Sequence, residues 1–386
     1  MRQTSTAGDD TPQTPQNSPP STVVRAGSPT ALLAVVPHLL GFVPDLSLVV
    51  IGTAPPRDRI RVTLRYDLPD PPEADLAADI AAHAAGVLGA QQLPAAVAVG
   101  YGPEALVMPV AGAFLDAAHL AGITLHDVLR VENGRYWSYR CGNQACCPSD
   151  GVPFDADAHP ASAAMDGAGM PVLPGRAAVA ARVEPLGGTT AESMRRATRR
   201  AEQHAAGLVR KVRKSARAGA ARQLIAAEGL SAVGTMIATY RAGGRFATEY
   251  QIAWMTVALR DLRVRDDAWA RMDPEHAGAH LRLWIDVTRR AQPGHVAAPA
   301  ALLAFVAWQS GDGALANVAL DRALTDDPGY SMALLLRQVI GAGAPPSLAR
   351  LPMTPEEVAA SYAGTEGDAD DDYELDVREP DCDAGL

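Results

Sequence analysis

The sequence predicts an α/β or α+β protein: an N-terminal mixed sheet with flanking helices and hairpins, followed by an all-α region. Three observations support this class. Short apolar runs alternate with helical patterns up to about residue 140, and the patterns from about residue 190 onward are helical. The composition, 48% hydrophobic and 20% charged over 386 residues, is that of a globular protein long enough for two domains.

The chain divides into five predicted parts. These are a disordered head (1–27), an α/β domain with a cysteine-bearing hairpin (28–155), a bridge (156–190), a helical domain (191–345) and an acidic disordered tail (346–386). The head is mostly Thr, Ser, Pro and Gln, a composition that cannot bury enough apolar surface to fold.

The α/β domain begins with a helix and a hairpin. Ser28-Pro29 is a helix start for the apolar run 30–40, with Ser as N-cap. The run 46–52 is continuously apolar and has strand length, and the run 60–66 alternates apolar with polar residues. These two runs are expected to pair as a hairpin.

A helix, a strand and a second helix follow. We expect a helix over 71–89, a buried strand over 95–100 and a helix over 109–121. The glycine-bracketed turn Gly100-Tyr101-Gly102 lies between strand and helix, where α/β proteins bind ligands. It matches no phosphate-binding motif and is interpreted as a plain turn.

A second hairpin carries the first group of candidate site residues. Asn133-Gly134 is the two-residue signal for a type I′ turn, and it predicts strands over 125–132 and 135–140. This register pairs Glu132 with Arg135, Arg130 with Trp137, and Val128 with Tyr139. The candidate hairpin-face residues, on a face that is wet or covered by a partner, are Arg130, Trp137 and Tyr139.

The hairpin ends in a cysteine cluster, and three of the four cysteines lie there: Cys141, Cys146 and Cys147. Three interpretations stand. The thiols bind a metal such as zinc, with His126, His159 or a carboxylate as a further ligand, although the C-x4-C-C spacing departs from the usual C-x2-C. They act as redox or nucleophilic thiols. Or they pack a tight loop.

Short helices are predicted over 161–168 and 177–183, and a long helix over 191–227.

Residues 195–222 contain ten Lys or Arg and one Glu. This pattern suits a phosphate backbone, but it is also typical of a solvated helix face. The candidate anion-binding residues are Arg195, Arg196, Arg199, Arg200, Arg210, Lys211, Arg213 and Lys214. Residues 366–383 contain ten acidic residues and one Arg, and we expect them to compete for the basic helix.

The helical domain contains one pattern that resembles a repeat. Helices are predicted over 247–262, 267–272, 274–291, 298–310, 314–324 and 331–340. Aligned on Pro328, residues 298–328 resemble one tetratricopeptide-type hairpin, with Leu303 on its first helix and Ala316, Leu320 and Ala323 at the packing positions of its second. Stacks of such hairpins present a concave peptide-binding face.

Composition and charge bear on partners and location. No apolar run reaches 18 uncharged residues, and the first residues lack the order of a signal peptide, so we expect a cytoplasmic protein with no membrane partner. Few, clustered cysteines fit a reducing compartment. The net charge of -10 makes nucleic acid an unfavoured partner of the whole molecule.

Four segments carry a family resemblance. They are PHLLGFVPDLSLVVIG (37–52), RVTLRYDLP (61–69), RYWSYRCGNQACCPSDGVPF (135–154) and WQSGDGALANVALDRALTDDP (308–328). Together they resemble an uncharacterised actinobacterial family defined as a domain of unknown function, over roughly residues 28–350. The resemblance implies an actinobacterial cytoplasmic protein with this order of segments. It implies no activity or site residue.

Three functional hypotheses follow. The first is a binding or scaffold protein that engages a protein partner through its helical region. The second is an enzyme, or a metal or small-ligand protein, that uses the cysteine loop and strand ends, with Asp45, Arg65 and Asp67 as nearby charged groups. The third is nucleic-acid association through the basic helix. Neither an enzymatic reaction nor an oligomeric state is predicted.

Overall fold

A computed structural model of the chain describes residues 26–213, 220–246, 248–348 and 353–363. The predicted head lies outside the described residues except for its last two, Ala26 and Gly27. The elements of the α/β part are α1 (Pro29–Leu40), β1 (Ser47–Ala54), β2 (Arg59–Asp67), α2 (Ala74–Ala90), β3 (Ala95–Tyr101), α3 (Glu104–Leu120), β4 (Thr124–Glu132), β5 (Arg135–Ser138) and β6 (Val152–Pro153).

These strands form one six-stranded mixed sheet in the order β2-β1-β3-β4-β5-β6. Neighbouring strands are antiparallel except β3 and β4, which run parallel because α3 carries the chain back between them. The predicted mixed sheet with flanking helices and two hairpins is confirmed. The strand β6 was not predicted, because two residues give no periodic signal.

Helices cover both faces of the sheet. The helix α1 packs on one face, where Leu33 and Val36 lie against Val49, Val99 and other strand residues. The helices α2 and α3 cover the opposite face. This arrangement explains why β1 is apolar at consecutive positions, since a strand covered on both faces cannot alternate.

The helix α3 begins earlier than the sequence predicts. The expected start was Pro109, but the helix begins at Glu104 and contains Pro109 in its second turn. Proline removes one backbone donor and is best tolerated at the first turn, which made it a misleading start signal. The early start brings the first turn of α3 against Gly100, whose missing side chain leaves room for Val107.

The remainder of the chain is helical. Its elements are α4 (Pro160–Gly167), α5 (Arg176–Ala181), α6 (Gly188–Arg213), α7 (Ala220–Arg241), α8 (Glu249–Ala258), α9 (Leu262–Ala270), α10 (Ala277–Arg290), α11 (Ala297–Gln309), α12 (Gly313–Asp326), α13 (Ser331–Gly341) and α14 (Pro355–Ala363). Residues from α5 to α13, with Phe42 from the α/β part, share one large apolar cluster. The expected succession of helices after the sheet is confirmed.

The single long helix predicted over 191–227 is wrong, because two helices, α6 and α7, occupy this region. The His204 Nε2 atom lies 2.7 Å from the Glu228 Oε2 atom. In one continuous helix these residues would stand about 36 Å apart along the axis. The two helices therefore fold back on one another, which a local pattern of helix formers cannot reveal.

The helices α11 and α12 form the predicted helical hairpin. Leu303, Ala316, Leu320 and Ala323, the four expected packing positions, are all fully buried. The first helix, α11, is buried from Ala297 to Trp308 because α10, α12 and α13 surround it. Likeness to a tetratricopeptide repeat stays a prediction.

The predicted disordered tail contains a helix. Residues Pro355–Ala363 form α14, which packs on α9 through the buried Val358 and a hydrogen bond from the Tyr362 hydroxyl to Asp266 Oδ2 (2.6 Å). The prediction of disorder is therefore wrong for this segment, which carries one clear apolar anchor. Residues 364–386 lie outside the described residues.

None of the described helices combines the length and the apolar character needed to cross a membrane.

The close approach of α3 to the sheet can be tested at Gly100. A methyl group there would lie 2.2 Å from the buried, β-branched Val107 side chain. We expect Gly100→Ala to lower the free energy of unfolding by about 1–3 kcal/mol, as overpacking does. Chemical denaturation followed by circular dichroism measures this change.

The control is Gly112→Ala in α3, where an added methyl group meets no atom within 4 Å. Alanine favours helix over glycine by up to about 1 kcal/mol, so this variant is expected to be as stable as the wild type or more stable. Equal effects of the two substitutions would contradict the packing described.

Candidate functional site

The β4–β5 hairpin forms the base of the candidate site. Asn133 and Gly134 have φ angles of 49° and 71°, as a type I′ turn requires. The structure pairs Glu132 with Arg135 and Arg130 with Trp137, so the predicted register is confirmed. The hairpin continues to Tyr139, whose N–H donates to the Val128 carbonyl oxygen (2.9 Å).

Ser138 fixes the point at which the chain leaves the hairpin. Its hydroxyl donates to Asp127 Oδ1 (2.7 Å) and accepts from the backbone N–H groups of Arg140 (3.3 Å) and Cys141 (3.2 Å). The Asp127 carboxylate is held in turn by the Val128 N–H (2.8 Å). This relay ties the backbone of Cys141 to the sheet.

A tight turn then brings the other two cysteines back. The Asn143 carbonyl oxygen accepts hydrogen bonds from the N–H groups of Cys146 (3.2 Å) and Cys147 (2.8 Å). The Asn143 side chain also accepts from the Ala145 N–H (3.0 Å). As a result, the Sγ atoms of Cys141 and Cys146 lie 3.2 Å apart, and all three sulfur atoms lie within 4.8 Å of one another.

Trp137 closes the loop onto the hairpin. Its indole Nε1–H donates to the Ser149 carbonyl oxygen (3.1 Å), and its ring lies where a side chain on Gly151 would be. Gly151 also has a φ of 78°, a conformation that favours glycine. Arg135 donates to the Gly151 carbonyl oxygen (2.8 Å), so both ends of the cysteine loop are fastened to β5.

The three thiols are free and partly or fully exposed. Hydrogen bonds from Cys147 and Cys146 to the Cys141 sulfur hold the pKa of the Cys141 thiol below its ordinary value. The same contacts raise the pKa of Cys146, and they raise that of Cys147 to about 12. Cys141 is therefore the thiol of the three that ionises most readily.

The spacing of the sulfur atoms suits a thiophilic metal ion. Four-coordinate zinc, with Zn–S bonds of about 2.3 Å, requires sulfur atoms about 3.8 Å apart. The Cys141 and Cys146 sulfur atoms are 3.2 Å apart, and no two of the three sulfur atoms are more than 4.8 Å apart. Neither predicted histidine joins the cluster, since His126 faces Asp58 (3.8 Å) and His159 accepts a hydrogen bond from the Ala161 N–H.

A family model described as "Domain of unknown function (DUF4192)" matches residues 29–347. The chain belongs to the DUF4192 family. No curated protein and no solved structure matches the chain.

The match confirms the predicted membership in a domain family of unknown function. It spans both the sheet and the helices through α13, so the DUF4192 region includes the cysteine loop and the basic helix alike. The actinobacterial origin stays a prediction.

In this DUF4192 chain the predicted hairpin face is partly covered, since Arg130 is buried while Trp137 and Tyr139 are half-buried. Arg130 is 6% exposed, and its guanidinium lies 3.7 Å from the centre of the Trp137 ring and 2.6 Å from Glu132. Glu104, at the start of α3, stands 3.9 Å away, and Tyr139 packs against the core beneath α3. The early start of α3 places Glu104 beside Arg130, five residues before the start that the sequence indicates.

The structure does not bring the charged groups Asp45, Arg65 and Asp67 to the cysteines. Arg65 and Asp67 pair with each other (2.6 Å) on the edge strand β2. Four strand spacings separate β2 from β5, or about 19 Å. These groups belong to a different end of the sheet.

The basic helix is amphipathic. Buried residues such as Met194, Ala197 and Ala201 line one side of α6, while Arg195, Arg196, Arg199, Arg200, Arg210 and Lys211 are exposed on the other. Lys214 lies outside the described residues, and the side chain of Arg213 is not described.

Sequence reasoning missed a polar cluster around the buried His280 in the first turn of α10. Asp273 accepts hydrogen bonds from the backbone N–H and Nδ1 of His276 (both 2.8 Å) and from Arg241. His280, almost fully buried, lies 3.3 Å from Arg241 and 3.6 Å from Asp273. The Asp273-Pro274 helix start was visible in the sequence, but Arg241 comes from α7. We assign the cluster to helix capping rather than to metal binding. The Arg241 guanidinium already contacts the Asp273 carboxylate where a metal ion would lie.

This cluster makes folding sensitive to pH. Burial and the neighbouring Arg241 lower the pKa of His280. Burial opposes the ionised form of Asp273, but hydrogen bonds from His276 and the charge of Arg241 keep its pKa below the ordinary value. Both groups bind fewer protons in the folded chain than in the unfolded chain, so stability falls as pH falls through and below the ordinary histidine value of about 6.5.

We therefore expect the free energy of unfolding to decrease from pH 7 to pH 5, and His280→Gln to flatten that slope. Denaturation midpoints at a series of pH values measure it. His119→Gln, at an exposed position on α3, is the control and is expected to keep the wild-type slope. Parallel slopes for the His280 variant and the wild type would refute the assignment.

Proposed function

We propose that this DUF4192 protein binds a thiophilic metal ion, with Zn²⁺ the first candidate, through Cys141, Cys146 and Cys147. The observation that supports the proposal is the convergence of three sulfur atoms within 4.8 Å on a loop fastened to the sheet at both ends. Thiolate ligands select zinc and other soft metal ions over magnesium or calcium.

The arrangement favours metal binding over a packing role. Cysteines that act as apolar fillers are among the most buried residues, whereas Cys146 is exposed and its two neighbours are half-buried. A loop that needed thiols for packing would also not direct two adjacent cysteines, Cys146 and Cys147, toward the same third sulfur. Convergence at partial exposure is what an accessible metal site requires.

Oxidation to a disulfide is the competing chemistry. Cys141 and Cys146 are 3.2 Å apart at sulfur, close enough to react, although a disulfide bond is about 2.05 Å long. A disulfide between Cys141 and Cys146 would explain the proximity of those two thiols, but it would not explain why Cys147 lies beside them. A reducing compartment keeps all three free, so the proposal places the protein in the cytoplasm.

Three protein ligands leave one position of a tetrahedral ion open. In catalytic zinc sites that position holds water or substrate, and in other sites a ligand from a partner completes the shell. The cluster lies in the loop between β5 and the edge strand β6, where such a ligand has access. The enzyme hypothesis and the protein-partner hypothesis are both compatible with this open position.

The predicted scaffold role of the helical region is less well supported. Helix α11 is buried along its length, so a concave surface of the repeat type is not free on this hairpin. What α13 offers instead is two exposed leucines, Leu334 and Leu335. Binding of a protein partner through this region stays a prediction.

The proposal is tested by metal titration of the full-length protein under reducing conditions, against a chromophoric chelator. One Zn²⁺ ion per chain is expected. Each of Cys141→Ser, Cys146→Ser and Cys147→Ser should weaken binding about tenfold or more, since loss of even a supporting group outside the ligand shell costs about 10–100-fold.

Cys382→Ser is the matched control, because it removes a cysteine that is distant in sequence from the cluster. It is expected to bind Zn²⁺ as the wild type does. Failure of the wild type to bind, or equal affinity of all four variants, would rule the proposal out.

A further inference from the structure

Four arginines form an unpaired positive surface on α6. Arg195, Arg196, Arg199 and Arg200 are all exposed and occupy two successive turns, and this set is called the α6 arginine surface below. None of the four forms an ion pair with a residue in the described part of the chain. Their recorded contacts are weak ones, to the Ser193 hydroxyl (3.3 Å) and the Tyr250 ring (5.4 Å).

The spacing of these arginines is unfavourable without a partner. Arg195 and Arg199, like Arg196 and Arg200, stand four positions apart on one helix, where side chains are neighbours and like charges repel. Some other arginines, such as Arg135, Arg176 and Arg337, have carboxylate partners within 4 Å, whereas these four have none among the described residues. The α6 arginine surface is therefore suited to bind an anionic partner.

The chain itself contains a matching anion. Residues 366–383, here called the acidic segment, contain ten Asp or Glu and one Arg. This segment lies outside the residues that the structure describes. We propose that the acidic segment docks on the α6 arginine surface of the same chain.

The connection is long enough. The helix α14 ends at Ala363 and packs on α9, which contacts α7, which contacts α6. Three helix spacings of up to 10 Å amount to about 30 Å. The 20 residues from 364 to 383 extend to about 66 Å, so after spanning about 30 Å the last eleven, with five of the ten acidic side chains, can lie along α6.

Tethering favours this occupant over a free polyanion. A segment joined by a short linker is present at an effective concentration in the millimolar range, whereas a nucleic acid must compete from solution. The acidic segment also supplies nearly all of the net charge of -10, so the repulsion of a nucleic acid comes mainly from this segment. Occupation of the surface by its own segment would keep other polyanions away.

The test uses the full-length chain and a labelled peptide of residues 366–386 in which Cys382 is replaced by Ser. In the first variant, the ten Asp and Glu residues of the acidic segment are changed to Asn and Gln in the full-length chain. Fluorescence anisotropy is expected to show that this variant binds the peptide at least about tenfold more tightly than the wild type, whose own segment competes. Binding should weaken steeply as salt is raised.

A second variant combines the substitutions of the first with R195Q, R196Q, R199Q and R200Q. It is expected not to bind the labelled peptide. The matched control adds R57Q, R59Q and R61Q instead, which removes exposed arginines of the β1–β2 hairpin, and is expected to keep it. Circular dichroism melting confirms that each variant is folded. Equal binding by the wild type and the first variant, or undiminished binding after loss of the four α6 arginines, would overturn the proposal.

A labelled single-stranded oligonucleotide distinguishes the other class of occupant. The proposal predicts that it binds the wild type weakly and the first variant more tightly, with the acidic peptide as a competitor. Equally tight binding to both proteins, unaffected by the peptide, would assign the surface to nucleic acid and contradict docking of the segment.

Discussion

The cysteine site depends on the register of the β4–β5 hairpin. Pairing of Arg130 with Trp137 sets Ser138 beside Asp127, and Ser138 in turn holds the backbone of Cys141. A shift by one residue would turn Ser138 to the opposite face of the sheet and remove this anchor. The Asn133-Gly134 turn prevents such a shift, because a two-residue turn of this type fixes which residues face each other.

The rest of the sheet makes that register rigid. Strand β4 lies between β5 and the fully buried β3, and α3 packs over both through Gly100 and Val107. The Arg130 guanidinium packs against the Trp137 ring, and its positive charge is paired with Glu132 and Glu104. The tryptophan that closes the cysteine loop therefore packs on a guanidinium whose charge is neutralised. A set of ligands held in this way loses little conformational freedom when a metal ion binds.

Local signals in the sequence predicted much of this arrangement. The Asn-Gly turn, the two apolar strand runs and the C-x4-C-C spacing depend on neighbouring residues, and each led to the observed hairpin, strand pairing or thiol proximity. The features that the sequence did not predict depend on contacts between residues that are distant in the chain. The burial of Arg130 requires Glu104, the break between α6 and α7 is visible through His204 and Glu228, and α14 is recognised by its packing on α9.

Charge is distributed as unevenly as the cysteines. Arg195, Arg196, Arg199 and Arg200 of α6 lack carboxylate partners among the described residues. The polar groups of the cluster around His280, which are Asp273, His276, His280 and Arg241, contact one another. Such mutual contacts are typical of groups that stabilise the fold. Among the described residues, the unpaired arginines on one helix face and the converging thiols at one side of the sheet are the observations on which the two proposals rest.

The central claim, a three-thiolate site built on the hairpin, is tested most directly by X-ray absorption at the zinc edge of the full-length protein loaded with one Zn²⁺ ion. We expect three sulfur scatterers at about 2.3 Å and one lighter ligand. A first shell of nitrogen and oxygen, with one sulfur or none, would contradict the account.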